Sequence, residues 1–406
     1  MKILQVNKFY YPRGGADKYF LELTHALEKA GHEVAVFSMA HPKNLPTPWS
    51  SYFVSRVSFN SHIPGNKLKI PGRVLYSVEA KNKFRRLLRD FQPDIIHIHN
   101  IYHHISPSIL DAAREKNIPV VMHLHDYKLI CPNHTLFTKG AYCEQCRPNK
   151  YRQCLKNRCV KDSLFGSALI ALEMYLHHSI MKIYEKNIAL FIAPSRFMKE
   201  AAIRFGQNKE KIKIIYNSYS SELKDKASAY PAPQEDYLLY FGRLSQEKGI
   251  DTLIRAVALT DKKLKIAGSG SEEDNLKRLA AELKASVEFL GFKENIDLKP
   301  LIIGAKAVII PSVWAENMPL NLLEALSLGK IVLASRIGGL PEVIQEGING
   351  LLFEPGNPDD LAKKIKEIDR LDGRALEEAI GNTVTLFTPE KNIAAVLAVY
   401  EKLTEK

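Results

Sequence analysis

Residues 315–325 read AENMPLNLLEA, and the stretch before them, Lys306–Trp314, reads KAVIIPSVW. The apolar run AVII predicts a buried strand ending in a Pro-Ser turn, and Asn321–Leu328, rich in Leu and Ala, predicts a helix. Glu316 falls at the mouth of that helix, and Glu324 on its inward face two turns along. Between them Asn317, Met318, Pro319 and Leu320 form the helix start, where unpaired N–H groups and the helix dipole favour an anion. Two hydroxyl-accepting carboxylates beside an anion cradle suit a polar, phosphorylated ligand rich in hydroxyls, and a nucleotide sugar is one. Spacing alone favours the plainer reading, one capping carboxylate and one solvated helix residue; the other pieces of the chain, falling in the expected order, strengthen the ligand reading.

Strands and glycine-rich loops surround this stretch. Tyr237–Phe241 predicts a strand, followed by Gly242-Arg243-Leu244-Ser245-Gln246-Glu247-Lys248-Gly249 and a helix from Ile250. Arg243 can engage two oxygens and Lys248 adds a point charge, a phosphate clamp at a strand-to-helix turn. Further strands, Leu264–Ala267, Val287–Leu290 and Lys330–Ala334, are each followed by glycine within a few residues. Repeated strand–glycine–helix units imply a parallel sheet with its loops on one edge. A terminal helix is expected over Phe387–Lys406.

The first half repeats the theme. Lys2–Val6, a loop holding Gly14-Gly15, a helix over Ala16–Ala30 and the strand Glu33–Ser38 make a βαβ unit. Gly14-Gly15 lets the backbone approach a ligand, or simply makes a tight turn, and it is not the dinucleotide fingerprint GxGxxG. In Asp94–His99 the period of two places His97 and His99 on one face. His125-Asp126 closes another strand, Val120–Leu124, where ligands bind in open α/β sheets. Residues 217–236 are polar, with two prolines, and read as a linker.

A chain of 406 residues, 46% hydrophobic and 25% charged, fits two domains of an ordinary globular protein. Neither an apolar leader nor a run long enough to span a membrane is read in it, so a cytoplasmic protein is expected. Residues 1–200 hold 29 Lys and Arg against 15 Asp and Glu; the remainder holds 28 against 30. Positive charge gathered in one half points to an acidic partner there. Eight basic residues between Lys67 and Arg89 flank one acid, Glu79, and Arg73–Phe91 carries a helical apolar stripe. Such a helix suits an anionic membrane surface, or is merely solvated on its outer face. No nucleic-acid motif accompanies it, so nucleic acid is not an expected partner.

All five cysteines lie between 131 and 160. Cys143-x2-Cys146 followed by Cys154-x4-Cys159 has metal-ligand spacing, and basic neighbours would favour thiolates. A four-cysteine zinc knuckle in an insertion is expected, with Cys131 or His134 able to replace one ligand; free structural thiols or an iron–sulfur cluster are the alternatives. Asp162–Glu185 predicts a long apolar helix packed in or beside the core, with a lipid-facing role open to it.

Taken together, GRLSQEKGID, GSGSEEDNL, PSVWAENMPLNLLEA and SRIGGLPEVIQEGINGLLFEPG resemble the signatures of retaining GT-B glycosyltransferases of family 4. The GG loop, DIIHIHN, HLHDY and APSRFM resemble that family's first domain, and the cysteine insertion resembles a bacterial subset that builds surface polysaccharides. The resemblance implies an α/β fold of two facing Rossmann-like domains. The first would be 1–216 with the cysteine insertion 131–160, and the second 237–385, with 386–406 crossing back to the first. It implies a UDP- or GDP-sugar donor, a glycan or lipid-linked acceptor, and no cofactor for transfer. It further implies that Arg243 and Lys248 bind the diphosphate, Glu324 the ribose, Glu316 the transferred sugar, and the amides after Glu316 the sugar or phosphate. Gly14-Gly15 would approach the diphosphate and His125 the reacting carbon. A GT-B epimerase or phosphorylase, or a silent sugar-nucleotide-binding scaffold, are the rival readings. The family often has Asn-Gly-Val-Asp where this chain has Asn217-Ser218-Tyr219-Ser220, and Glu where it has Asp17.

Overall fold

The protein is described by a computed structural model that covers residues 1–57, 66–220 and 236–405. It divides into two compact units: Met1–Leu136, Glu144–Ile215 and Ile393–Lys406 make the first, Phe137–Cys143 and Tyr216–Asn392 the second. Most of the expected linker, 221–235, lies outside the described residues.

The first unit is built on a six-stranded sheet of β1 (Lys2–Val6), β2 (Glu33–Phe37), β3 (Ile95–Ile98), β4 (Val120–His123), β7 (Leu190–Ala193) and β8 (Ile212–Ile214). Its spatial order is β2-β1-β3-β4-β7-β8 and every pairing is parallel. β5 (Phe137–Thr138) and β6 (Ala141–Tyr142) form a separate antiparallel hairpin.

The second unit holds β9 (Tyr237–Phe241), β10 (Lys263–Ala267), β11 (Val287–Gly291), β12 (Ala307–Ile310), β13 (Ile331–Ser335) and β14 (Gly350–Phe353). All are parallel, in the order β11-β10-β9-β12-β13-β14, the arrangement of a dinucleotide-type doubly wound sheet. Alternate residues of these strands enter two separate cores. Leu239, Val308 and Val332 pack on one side, and Leu238, Ile309 and Leu333 on the other. A strand buried on both faces cannot alternate polar with apolar, so AVII and IVLA read as unbroken apolar runs.

Two helical expectations change. The basic stretch forms two helices, Asn66–Leu75 and Val78–Phe91, because Ser77 starts a new one by accepting from the Ala80 N–H. The stripe Phe84, Leu87, Leu88 and Phe91 is buried, with Phe84 set 4.9 Å edge-on to Phe37. The charges of Lys81, Lys83, Arg85 and Arg73 are taken up by Glu115 and Glu79; the side chains of Lys67 and Lys69 lie outside the described residues. This helix therefore has no apolar face left for lipid. The long apolar helix is Leu164–Met174, extended by a π-helical turn over Tyr175–Ile180, before a separate short helix at Ile183–Asn187. Among the described residues no helix is long and apolar enough to cross a membrane.

Candidate functional site

In a doubly wound sheet, crossovers leave in opposite directions from one pair of strands, and their loops part there to leave a crevice. In the second sheet that pair is β9 and β12, whose carboxyl ends carry Gly242–Gly249 and Pro311–Glu316. The two loops are locked together. Val313 N–H donates to the Glu247 carbonyl at 3.0 Å. Gly249 has φ +64°, and a Cβ there would lie 2.0 Å from the Pro311 oxygen. Only glycine fits.

This locking brings two ionic groups together across 68 residues of chain. Lys248 Nζ donates to Glu316 Oε1 at 2.6 Å, and Ser312 Oγ donates to the same oxygen at 2.6 Å. The ammonium also lies 5.0 Å from the centroid of the Trp314 ring. Glu316 is only 4% exposed. Burial alone would push its carboxyl up, but the Lys248 charge and hydrogen bonds from Lys248, Ser312 and Trp314 hold it below the usual carboxylate range. It is anionic at neutral pH. A third loop grips its backbone: Gly339 N–H donates to the Glu316 carbonyl at 2.7 Å. Beside it, Gly338 has φ +63° and would place a Cβ 2.1 Å from that same oxygen.

The helix expected at Asn321–Leu328 runs Leu320–Ser327, and Pro319 at its N-cap has no N–H to offer. Of the four residues expected at the helix start, Asn317, Met318 and Leu320 alone can donate. Glu324 is buried on the helix, as expected for an inward face. Arg243 is 71% exposed, its guanidinium 4.0 Å from Glu247. The Gly268-Ser269-Gly270 loop after β10 lies against the Arg243 loop: Leu244 N–H donates to the Ser269 carbonyl at 3.0 Å, and Gly268 and Gly270 leave no room for a Cβ.

The first unit presents a different chemistry. Gly14-Gly15 is exposed at the N-terminus of the helix Gly15–Lys29, with Gly14 in an extended conformation. Asp17 in its first turn is buried and accepts from Asn7 at 2.8 Å; burial raises its pKa despite that bond. At the ends of β3 and β4 four imidazoles stack: His123 lies 4.3 Å from His125, and His97 4.5 Å from His99. Burial first, and the neighbouring imidazoles next, push His97, His99 and His125 well below the usual histidine range. They are neutral, and their hydrogen bonds then fix the tautomers. Gln5 Oε1 accepts, so His99 Nε2 carries the proton (2.9 Å). His99 Nδ1 must accept, so His125 Nε2 donates to it (2.8 Å). His125, half-buried, is left with a lone pair on Nδ1. Behind the stack, Tyr400 of the terminal helix meets His97 Nδ1 at 2.6 Å and accepts from Gln5 at 3.3 Å. Nitrogens of His97, His99 and His123 lie within 4.8 Å of one another, a spacing open to a metal. Both nitrogens of His99 are already engaged, so the cluster is a hydrogen-bonded stack.

The cysteine quartet is not assembled as expected. Cys143 groups with the second unit, whereas Cys131, Cys146, Cys154 and Cys159 group with the first. Among the described residues, no group of three or more that includes a cysteine has its ligand atoms all within 4.8 Å of one another. Sequence reading missed Gln5 and Tyr400, which act through contacts distant in sequence. It placed His99, Ser312 and the glycine pair of SRIGGLPE on the chain but gave none of them its partner; for Ser312 that partner, Glu316, is only four residues away.

Residues 13–223 match glycosyltransferase family 4, and residues 222–384 match glycosyl transferases group 1. An uncharacterized 42.6 kDa protein in the cps region of Klebsiella pneumoniae is 27% identical over 91% of this chain and 97% of that protein. An uncharacterized glycosyltransferase of Methanocaldococcus jannaschii is 28% identical over 89% of this chain and 87% of its own. Anabaena HepE, solved in complex with UDP and glucose, superposes with a TM-score of 0.69 at 20% identity, covering 99% of this chain and 100% of its own. That likeness is one of fold.

The histidine stack makes stability pH-dependent. The unfolded chain binds protons below about pH 6.5 that the folded His97, His99 and His125 refuse. Stability is therefore complete above that pH and falls as the pH drops below it. The thermal midpoint followed from pH 8 to pH 5 should decline below about 6.5, and less steeply in His97→Asn; parallel profiles would contradict this.

Proposed function

The chain belongs to glycosyltransferase family 4, and from that premise we propose that it moves a sugar from a UDP- or GDP-sugar to a hydroxyl of a glycan or lipid-linked acceptor, with retained anomeric configuration, in cell-surface polysaccharide synthesis. The observation that carries this reading is the Lys248–Glu316 pair, with its carboxylate buried, at the crevice of the second sheet, and the Arg243 guanidinium exposed on the same loop as Lys248. Arg243 and Lys248 receive the diphosphate, with the N–H groups of Asn317, Met318 and Leu320 at its far side. Glu324 accepts the ribose hydroxyls, and Glu316 those of the transferred sugar. The first unit brings Gly14-Gly15 to the diphosphate and the Nδ1 lone pair of His125 to a sugar hydroxyl. HepE, described with UDP and glucose, supports a UDP-linked donor.

The departing diphosphate develops negative charge, which Arg243 and Lys248 stabilise in place. A carboxylate clamped by Lys248 and Ser312 is badly placed to act as a nucleophile, which favours front-face transfer. The bond from the anomeric carbon to the diphosphate oxygen breaks and that to the acceptor oxygen forms on the same face. The acceptor's proton passes to the departing diphosphate. No metal is needed for this step.

For the insertion we propose a structural zinc with a revised ligand set, Cys131, Cys146, Cys154 and Cys159. Cys131, Cys146 and Cys154 are buried, and none of the five cysteines is disulfide-bonded. The Cys154 thiol is raised by its hydrogen bond with Cys159, by burial, and by the charges Cys159, Cys146 and Cys131 would carry. Thiolates that repel one another are the ligands a divalent cation gathers. Purified protein should hold one zinc per chain by mass spectrometry, lost in Cys154→Ser and kept in Cys143→Ser. Metal-free protein, or loss in Cys143→Ser alone, would contradict this set.

Hydrolysis and thermal shift across UDP-, GDP- and ADP-sugars test the transferase reading. One donor should stabilise the protein and slowly release its nucleoside diphosphate, and Arg243→Ala should cut that rate about 10²–10³-fold. Silence across the panel, with acceptor extracts included, would favour a silent sugar-nucleotide scaffold. A released sugar with altered configuration at another carbon would favour an epimerase.

A further inference from the structure

The helix Leu164–Met174, with its continuation through Tyr175–Ile180, is built inside out. Its ionisable side chains face inward. Glu173 is 1% exposed and accepts from Lys128 Nζ at 2.7 Å, with His103 Nε2 at 3.0 Å. His177 donates to the Leu75 carbonyl at 2.6 Å, and His178 meets Glu185 at 2.6 Å. Its large apolar side chains face outward instead: Leu164, Phe165, Leu172, Tyr175 and Ile180 are 48–77% exposed. Phe165, Leu172 and Tyr175 follow helical spacing, and the half-exposed Ala168, Leu169 and Leu176 fill the same face. Within Ser163–Met181 no charged residue points outward. The stripe runs for about 24 Å at the rise of a helix. A contiguous exposed apolar face of this kind marks an interaction surface, since single exposed apolars are common but a row of them is not.

The fringe of the stripe says what covers it. The short helix Arg152–Asn157 packs beside Leu164–Met174, and Arg152, Lys156, Arg158 and Lys161 are exposed at that end. Lys182 and Lys186 are exposed at the other. Against these six cations stands one exposed acid, Asp162. Glu185, half-buried, is held by His178. An apolar face bounded by cations at both ends complements the acyl–headgroup boundary of an anionic bilayer. A second copy of the same surface would instead bring like charges together. Because no described helix is long enough to span, the helix would lie in the plane of the interface.

We propose that the helix Leu164–Ile180 docks the first unit on an anionic lipid bilayer, with Phe165, Leu172 and Tyr175 in the apolar boundary and the flanking lysines and arginines on the headgroups. This moves membrane attachment away from the basic helix Val78–Phe91, whose apolar face is buried. Docking does not depend on the transferase reading. If that reading holds as well, docking sets the protein where a lipid-linked acceptor is found.

Full-length protein sedimented with phosphatidylcholine vesicles, with and without phosphatidylglycerol, tests the proposal. Wild type should bind the anionic vesicles and release partly at high salt. Phe165→Asp/Leu172→Asp should bind at least about tenfold more weakly, with donor hydrolysis and thermal midpoint unchanged. The milder Phe165→Ser/Tyr175→Ser gives the same reading if the charged pair lowers the midpoint. Wild type that ignores anionic vesicles, or variants that bind as wild type does, would overturn the proposal. So would a wild-type dimer that Phe165→Asp/Leu172→Asp converts to monomer by light scattering, which would assign the face to a second copy. Wild type that binds anionic vesicles but hydrolyses no donor would count against the transferase reading alone.

Discussion

The crevice of the second unit depends on one ion pair, a buried carboxylate held by a half-buried lysine. Taking Lys248 and Glu316 out of water is costly, and their attraction offsets that cost only where the geometry is held and the remaining polar atoms are satisfied. Three loops meet to hold it. Gly249 lets the β9 loop press on Pro311, Ser312 adds a second donor to the carboxylate, and Gly338-Gly339 fixes the Glu316 backbone. Removing Lys248 would strand the buried Glu316 charge, at a cost of roughly 3–5 kcal/mol, whereas the half-buried Lys248 keeps some contact with water when Glu316 is lost. The pair therefore both fixes the loops around the crevice and leaves one strong charge of each sign beside it.

The first unit meets the same problem of buried polarity by neutrality. Four imidazoles stack at the ends of β3 and β4, and those of His97, His99 and His125 are kept uncharged by burial and by one another. Their protons are then ordered by Gln5 and Tyr400. The result is a histidine whose accepting nitrogen is decided before any ligand arrives. In the proposed reading, a sugar hydroxyl would meet that oriented lone pair without a cost for reorganising it.

Local signals were enough for the strands. Runs such as AVII and DIIHIH are buried on both faces, and a short unbroken apolar run between turns in an α/β chain is the pattern of a strand covered on both sides. The placement of Glu324 and the strand-end position of His125 were legible for the same reason. Partnership was not. Lys248 and Glu316 each read as a ligand group, and nothing nearby shows that they bond to each other across 68 residues; nor does anything near Tyr400 point to His97. Amphipathic pattern gave a face but not its direction. The stripe of Val78–Phe91 packs inward, while in Leu164–Ile180 the polar residues are the ones that face the protein. Cysteine spacing similarly suggested a quartet, but Cys143 groups with the other unit.

In the proposed reading, Lys248 and Glu316 act as one unit in holding the donor. A double-mutant cycle of Lys248→Ala and Glu316→Gln, read by calorimetry as the affinity for the nucleoside diphosphate, tests it most directly. A coupling of at least about 1.5 kcal/mol between the two changes is expected. Simple additivity would contradict it, leaving two separate groups that happen to lie close together.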